Sequence, residues 1–498
     1  MAKFPDSSKA YAATPVGGPI DTTKMGEGST VFEQPPAQGT PLTPGPTLSG
    51  SQTPTAPAPV ISDLPRDGRV SPSPFRNMIP LIIGIGAFIL LGVLAFMVVP
   101  RFFGGGGTTP STLTYWGLWE PSSVMQTVLA DYERETGIKV NYSMQNIKGY
   151  RSRLQSAVAE GSGPDVVRIH NTWLPMMRKV FTPAPADLGI SLSDYYPVVT
   201  KDLVVGNSIY ALPLEIDGLA LYYNKDILAE AGAEPPTDWN ALRKLAFDLT
   251  QRNEVTGVIE RAGAAIGTAN NIDHWSDILG LLILQNSGDP ATPSTQAVQD
   301  ALTFYTIFAT TDKSWDVSQP QSTYAFASGT VAMILAPAWR AAEIEAINGS
   351  LNYGIAPAPT LPTTDLAWAS YWAEAVPVSS KNQKAAWEFI KYLSSPQVLQ
   401  KLYTSQSALR PVGEPYPLVS LAGSLQQDPL AAPFVTQATN YTSWYMASHT
   451  FDEGINDQVI KYYEDAVNAI SSGSTVNAII KTLDAGVQQV LAKYPEAK

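Results

Sequence analysis

The residues best suited to chemistry in this chain are aromatic. Trp116, Trp119, Trp173, Trp275, Trp339, Tyr371 and Trp372 fall at the ends of strand-like runs or in connecting turns. Trp239 and Trp387 instead stand on helical segments with apolar partners at helical spacing, which marks them as core. A flat ring at the rim of a cleft stacks on the apolar C–H face of a sugar ring while nearby carboxylates and amides bond its hydroxyls. Polar partners are at hand in Glu120, Glu215, Asp217, Glu374 and Arg410, the last offering a rigid fork of donors. Glu215 and Asp217 flank Ile216, so in an extended segment both point to one face. His170 beside Asn171 adds a hydrogen-bonding pair. Each residue also has a plainer role: core for any one Trp, an ion pair for each carboxylate, an ordinary loop histidine for His170.

Signatures of catalysis are missing. There is no phosphate loop ending in Gly-Lys-Ser/Thr, no His-Glu-x-x-His and no Gly-x-Ser-x-Gly. The three histidines, His170, His274 and His449, lie far apart, so a metal site needs assembly in space. Glycoside hydrolysis needs two carboxylates at a set separation, and Glu120 with Asp217 is the pair to consider, but sequence gives no separation. The expectation is a binding protein without a cofactor, not an enzyme.

The elements that must position these residues alternate. Leu113 to Trp116 reads as a strand, Ser122 to Thr136 as a helix closed by Gly137, Ile138 to Tyr142 as a strand, 149 to 160 as a helix and Asp165 to Ile169 as a strand. That order implies a parallel sheet with helices on both faces, where ligand sites lie beyond the carboxyl ends of the strands. Leu219 to Tyr223 is an apolar run suited to a buried strand, with Asn224 as N-cap of the next helix. Further helices are expected at 237–252, 272–285, 295–309, 324–329 and 384–393, and through most of 454–493. Strands are expected at 331–335 and 373–378.

Four stretches carry a family resemblance. Tyr210-Ala-Leu-Pro-Leu-Glu-Ile-Asp-Gly-Leu-Ala-Leu-Tyr-Tyr-Asn-Lys-Asp-Ile-Leu228 resembles the segment where the chain first crosses between lobes in bacterial extracellular solute-binding proteins of the sugar-binding, maltose-binding-protein-like family. Gly163-Pro-Asp-Val-Val-Arg-Ile, the run from Phe326 to Trp339, and the run from Ala375 to Ile390 resemble that family in the expected order, so the likeness covers roughly residues 111 to 495. It implies an α/β, two-lobed periplasmic-binding-protein-like fold: two parallel-type lobes joined by a hinge, lobe one at about 111–216 and 370–415, lobe two at about 217–369 and 416–498. It also implies capture of a carbohydrate or similar polyhydroxylated solute by hinge closure, and delivery to the permease subunits of an ABC importer. The resemblance implies that the loop after the first strand, the loop after Pro-Asp-Val-Val and the element ending at Trp339 face ligand; together with the aromatic and polar candidates above, the expected binding residues are Trp116, Trp119, Glu120, His170, Asn171, Trp173, Glu215, Asp217, Trp275, Trp339, Tyr371, Trp372 and Arg410. Where the family often has glycines, this chain has Ser370-Tyr371-Trp372, and two bulky rings there narrow the pocket. The competing roles are a surface glycan-binding adhesin or sensor module, and an extracytoplasmic glycan-cleaving enzyme.

Composition divides the 498 residues unevenly. Residues 1–76 hold 14 of the 41 prolines, no Trp, and six basic residues balanced by six acidic ones, so residues 1–77 read as a disordered cytoplasmic tail. The net charge of -12 therefore falls on the rest, which argues against nucleic acid as a partner. With no cysteine the chain lacks the lipid-modified residue that anchors many solute-binding proteins. Met78 to Pro100, 23 residues without a charge, reaches roughly 34 Å and reads as a transmembrane helix across a core of about 30 Å. Arg66, Arg69 and Arg76 precede it closely, giving a single-pass membrane protein with its N-terminus cytoplasmic and its binding domain outside. Residues 101–110 read as a flexible tether ahead of an expected solute-binding domain at 111–498.

Overall fold

Strand composition sets the architecture here, because runs apolar on both faces must be covered on both faces. The computed structural model describes residues 111–497; the expected tail, membrane span at 78–100 and tether lie outside them. Among the described residues no helix is long and apolar enough to cross a membrane.

The chain opens with β1 (Thr112–Gly117), α1 (Ser122–Thr136), β2 (Lys139–Met144), α2 (Tyr150–Ala159) and β3 (Val166–His170). Helix α1 ends as its sequence dictates: Gly137 adopts φ 74° and its N–H bonds the Glu133 carbonyl at 2.8 Å. All five residues of β3 are buried. Two short strands, β4 (Phe181–Thr182) and β5 (Ala211–Pro213), precede the crossing to the second sheet.

That sheet contains β6 (Ala220–Asn224), β7 (Gln251–Arg252), β8 (Ile259–Ala264), β9 (Val331–Ala336) and β10 (Tyr353–Pro357). Asn224 caps α3 (Lys225–Glu230), its Oδ1 accepting the N–H groups of Asp226 and Ile227 at 3.0 and 3.1 Å. Helices α4 (Trp239–Leu249), α5 (Trp275–Gln285) and α6 (Gln296–Thr310) follow. Trp239 is fully buried with its Nε1 donating to Gln285, and Trp387 is fully buried too, as helical spacing requires.

After β11 (Ala367–Trp368) the chain re-enters the first sheet as β12 (Trp372–Pro377), then forms α7 (Gln383–Leu393) and α8 (Pro396–Ser407). The first sheet runs β2-β1-β3-β12-β4, with β5 also on β12; the second runs β10-β6-β9-β8-β7. Each is mixed, where a parallel sheet was expected. Strands β1 to β3 are parallel, but β12 runs antiparallel to β3 with Trp372 opposite His170 and Glu374 opposite Arg168. Likewise β6 runs antiparallel to β9 and β10. The reversed strands are those entered directly from a crossing, so no helix intervenes to restore direction.

The crossing segments lie side by side. Gly218 bridges Ala369, the Ile216 N–H bonds the Pro415 carbonyl at 2.8 Å, and β11 pairs with β13 (Tyr441–Thr442). A Cβ at Gly218 would lie 1.9 Å from the Trp368 carbonyl oxygen, so only glycine permits this approach. Helices α9 (Ile455–Ser471) and α10 (Val476–Lys493) then pack on α6.

Candidate functional site

A cavity of about 440 Å³ opens between the two sheets, floored by the crossing segments. On the first-sheet side it meets Trp119 after β1, His170 at the end of β3 and Trp372 at the start of β12. On the other side stand Trp339 in the turn after β9, and His274 and Asp277 at the start of α5. The crossings contribute Glu215, Asp217, Ser370, Arg410 and Glu414, and a late loop adds Ser448, His449 and Phe451.

Packing sets the ring orientations. Trp119 and Trp372 meet edge to face with centroids 5.4 Å apart, and Trp372 is wedged by His170 at 5.0 Å and Trp173 at 5.5 Å. His170 is held in turn by Thr172 Oγ1 at 2.8 Å and Ser370 Oγ at 3.0 Å. Opposite them, the Arg340 guanidinium lies 4.2 Å from the centre of the Trp339 ring, flanked by His274 and His449. Trp119, Trp339 and Phe451 stay 40%, 39% and 39% exposed, so three apolar faces remain free for a ligand.

The histidines are neutral. Burial pushes His170 down to about 3; burial, reinforced by the Arg340 charge, brings His449 down to about 4; burial also lowers His274. Asp217 moves the other way, up to about 7, because burial outweighs the hydrogen bonds it accepts from Ala338 and Gly218.

Seven of the residues singled out in the sequence line the cavity: Trp119, His170, Glu215, Asp217, Trp339, Trp372 and Arg410. Six do not. Tyr371 and Trp173 are fully buried, and Tyr371 points away from the cavity because successive residues of an extended chain face opposite sides. Its hydroxyl reaches Asp202 at 3.0 Å, and the Asn171 amide donates to the same carboxylate at 2.8 Å, so both knit the rear of the crossings. Trp275 is buried on α5, and Trp116 packs half-buried against the core. Glu120 sits beneath the floor, 2.6 Å from Arg168 Nη1, and Arg168 Nε is 2.7 Å from Glu374. Glu374 is thus an ion-pair residue, its plainer role.

Sequence reasoning missed Asp277, Trp368, Glu414, Ser448, His449 and Phe451. Asp277 binds Trp368 Nε1 at 2.8 Å and the Ser448 N–H, tying α5 to a crossing and to the late loop. His449, Phe451 and Glu453 adopt φ 58°, 50° and 47°, while the residues between them, Thr450 and Asp452, are fully buried. No glycine announces that left-handed backbone, so the loop gave no signal. Glu414 stood one residue from the predicted end of lobe one, in a run of prolines and glycine that marks only a turn.

Among the described residues, Glu120, Glu215 and Glu414 form the one carboxylate group tight enough to grip an ion, with oxygens within 4.8 Å of one another. Arg168 and Arg410 already sit on Glu120 and Glu414, at 2.6 and 3.0 Å, so a metal there meets two guanidinium charges.

Comparison with known proteins points one way. The family described as bacterial extracellular solute-binding protein matches residues 117–400. The chain is 26% identical over 309 residues to a diacetylchitobiose binding protein of Streptomyces coelicolor, covering 58% of this chain and 70% of that one. It is 24% identical over 298 residues to a maltooligosaccharide ABC transporter solute-binding lipoprotein of Streptococcus pneumoniae, covering 56% and 67%. Among solved structures, the sugar-binding protein MalE of Xanthomonas citri superposes with a TM-score of 0.63 at 23% identity, covering 77% of this chain and 98% of that one.

Proposed function

Because the chain belongs to the bacterial extracellular solute-binding protein family, we propose that it captures a carbohydrate in the cleft between its lobes and delivers it to the permease of an ABC importer. The observation that carries this reading is the set of three half-exposed rings, Trp119, Trp339 and Phe451, around a cavity floored by carboxylates and Arg410. Rings of that kind stack on sugar C–H faces, and Asp217, Glu215 and Arg410 accept from or donate to the hydroxyls. The cavity suits a short saccharide. The relatives' names direct attention to two chemistries, chitin-type and maltose-type oligosaccharides.

Closure of the lobes about the crossing segments supplies the mechanism. A saccharide touching both walls binds the closed form better than the open one, and that difference drives the motion. Residues 78–100 serve as a membrane anchor in place of a lipidated cysteine, with the cleft outside the cell and lobe boundaries near 216, 370 and 415. A thermal-shift panel of diacetylchitobiose, maltotetraose and related sugars tests the reading, since a ligand bound only by the folded state raises the melting temperature. No rise with any saccharide sinks it.

A further inference from the structure

Beneath the cleft floor, Glu215 on the first crossing and Glu414 beside Pro415 are brought together by the 2.8 Å backbone bond from Ile216 to Pro415. Glu120, from the loop after β1, completes the cluster, and its Oε1 is buried without a donor. Glu414 Oε1 is 3.0 Å from Arg410 Nη2, and its Oε2 accepts from Gln406 at 3.1 Å. From β3, Arg168 bridges Glu120 and Glu374; from β12, Glu374 also accepts the Tyr115 hydroxyl at 2.8 Å. Asp217 on the same crossing, Tyr142, whose hydroxyl bonds the Glu120 carbonyl, and Tyr403 on α8 complete the ionisable groups around it.

Charge does not balance here. Four carboxyl groups, Glu120, Glu215, Glu374 and Glu414, face two guanidinium groups, and the carboxyl groups are nearly all removed from water. An isolated buried carboxylate takes up a proton before it stays charged. Two acceptor-only oxygens side by side are satisfied only if one carries a hydrogen. A void of about 10 Å³ between Glu120, Arg168, Gln406 and Glu414 holds one water at most.

We infer that Glu414 is a positioning residue: it shares a proton with Glu215 across the two crossings and holds Arg410 in the cleft, so that saccharide affinity falls as pH rises. This rests on the saccharide reading of the cleft. Burial, reinforced by the Glu414 charge, drives the Glu215 carboxyl well above its ordinary range, where it is the donor. Burial also pushes Glu414 up, but Arg410, the hydrogen bonds from Glu215 and Glu120, and Arg168 outweigh it and leave Glu414 well below, the acceptor; burial raises Glu120 as well, to about 7, which makes it a second donor beside Glu215. A saccharide over Glu215 and Glu414 excludes their remaining water and favours the neutral form further, so the bound protein keeps the proton to a higher pH than the empty one and takes it up on binding where the empty one has lost it. Uptake on binding means tighter binding at low pH, with the Kd rising by at most about tenfold per pH unit for one proton.

Infrared difference spectra of the full chain test the shared proton without any sugar. A protonated-carboxyl stretch that persists in Asp217→Asn is expected at neutral pH, diminished in Glu414→Gln. Calorimetry with diacetylchitobiose and maltotetraose tests the linkage. The Kd in the native chain should rise at least about threefold between about pH 6 and about pH 8, with a flatter profile in Glu414→Gln. Absence of the stretch, or equal pH slopes in the two proteins, overturns the inference. So does a melting temperature raised by calcium and lowered by chelator without the stretch, which would mark a cation in place of the proton. If neither saccharide binds at any pH, the reading of the cleft fails, and the infrared band alone decides whether the proton is shared.

Discussion

Both carboxylate oxygens of Asp217 accept the backbone N–H of Ala338, at 3.0 and 3.1 Å, and one of them also accepts the N–H of Gly218 at 2.7 Å. One side chain on the first crossing therefore fixes the turn that presents Trp339 to the cleft. Its carboxyl is pushed up to about 7, so its proton is bound more tightly in the folded state than in the unfolded chain. That contribution is complete below the ordinary carboxyl range and is lost as pH rises through about 7. Asp217→Asn keeps an acceptor and should cost little at low pH, while gaining on the native protein as pH rises. Asp217→Ala strands two backbone donors and should cost about 1–3 kcal/mol for each. Urea midpoints across that pH range check this; a native-to-Asn difference that stays constant would refute the proton assignment.

The free rings make a separate prediction. Trp119→Ala, Trp339→Ala and Phe451→Ala should each weaken saccharide binding by about 1–3 kcal/mol, roughly five- to 150-fold, while leaving the fold intact. Trp173→Ala should instead lower stability by about 3–5 kcal/mol, because that ring is fully buried behind Trp372. Calorimetry and thermal melts separate the two classes. Unchanged affinity in all three cleft variants would remove the stacking model.

Arg168 is buried with both of its carboxylate partners. Arg168→Met leaves Glu120 and Glu374 facing each other without a cation and should cost about 3–5 kcal/mol. The deficit should shrink as pH falls, since both carboxyls then take up protons, and combining Glu120→Gln and Glu374→Gln with Arg168→Met should recover much of it. Denaturation of the three proteins in acid and neutral buffer provides the check. A deficit independent of pH would mean that packing, not charge, governs the site.

Lobe closure predicts a smaller radius of gyration in small-angle scattering when saccharide is added, without a change in helix content. Gly218→Ala places a Cβ against the Trp368 carbonyl and should spread the crossings, weakening both stability and closure. Identical scattering profiles with and without saturating sugar would favour a rigid binding module.

Topology rests on the charge-free run at 78–100 and the arginines before it. Protease added to intact cells should remove the cleft domain and spare the N-terminal tail. Digestion of the tail from outside would reverse the orientation.

How far the sequence could be read depended on period. Helix α1 was legible to the residue, because an apolar helical stripe and a closing glycine fix both ends. Glu215 and Asp217 share a face because two positions apart is one full repeat of an extended chain. The same rule separated Tyr371 from Trp372 and Asn171 from His170, yet sequence does not say which of two alternate faces meets the cleft. The antiparallel entry of β6 and β12 was hidden for a different reason: strand direction is decided by where a crossing delivers the chain, not by the residues of the strand. Glu414 escaped notice because its importance comes from partners some 200 to 290 positions away, Glu215 and Glu120.

The loop from His449 to Glu453 has a consequence for how this protein changes over generations. Its left-handed backbone, costing roughly 1–2 kcal/mol at each such residue, is held from behind by Thr450 and by Asp452, which caps α9 through Gly454 and Asn456. Phe451 is thus carried on a frame that does not depend on its ring, whereas His449 is tied into that frame through the Asp273 carbonyl and Arg340. An exchange at 451 alters what lines the cleft while leaving the frame in place, so a lineage can change the surface it offers a saccharide without first inventing a new backbone.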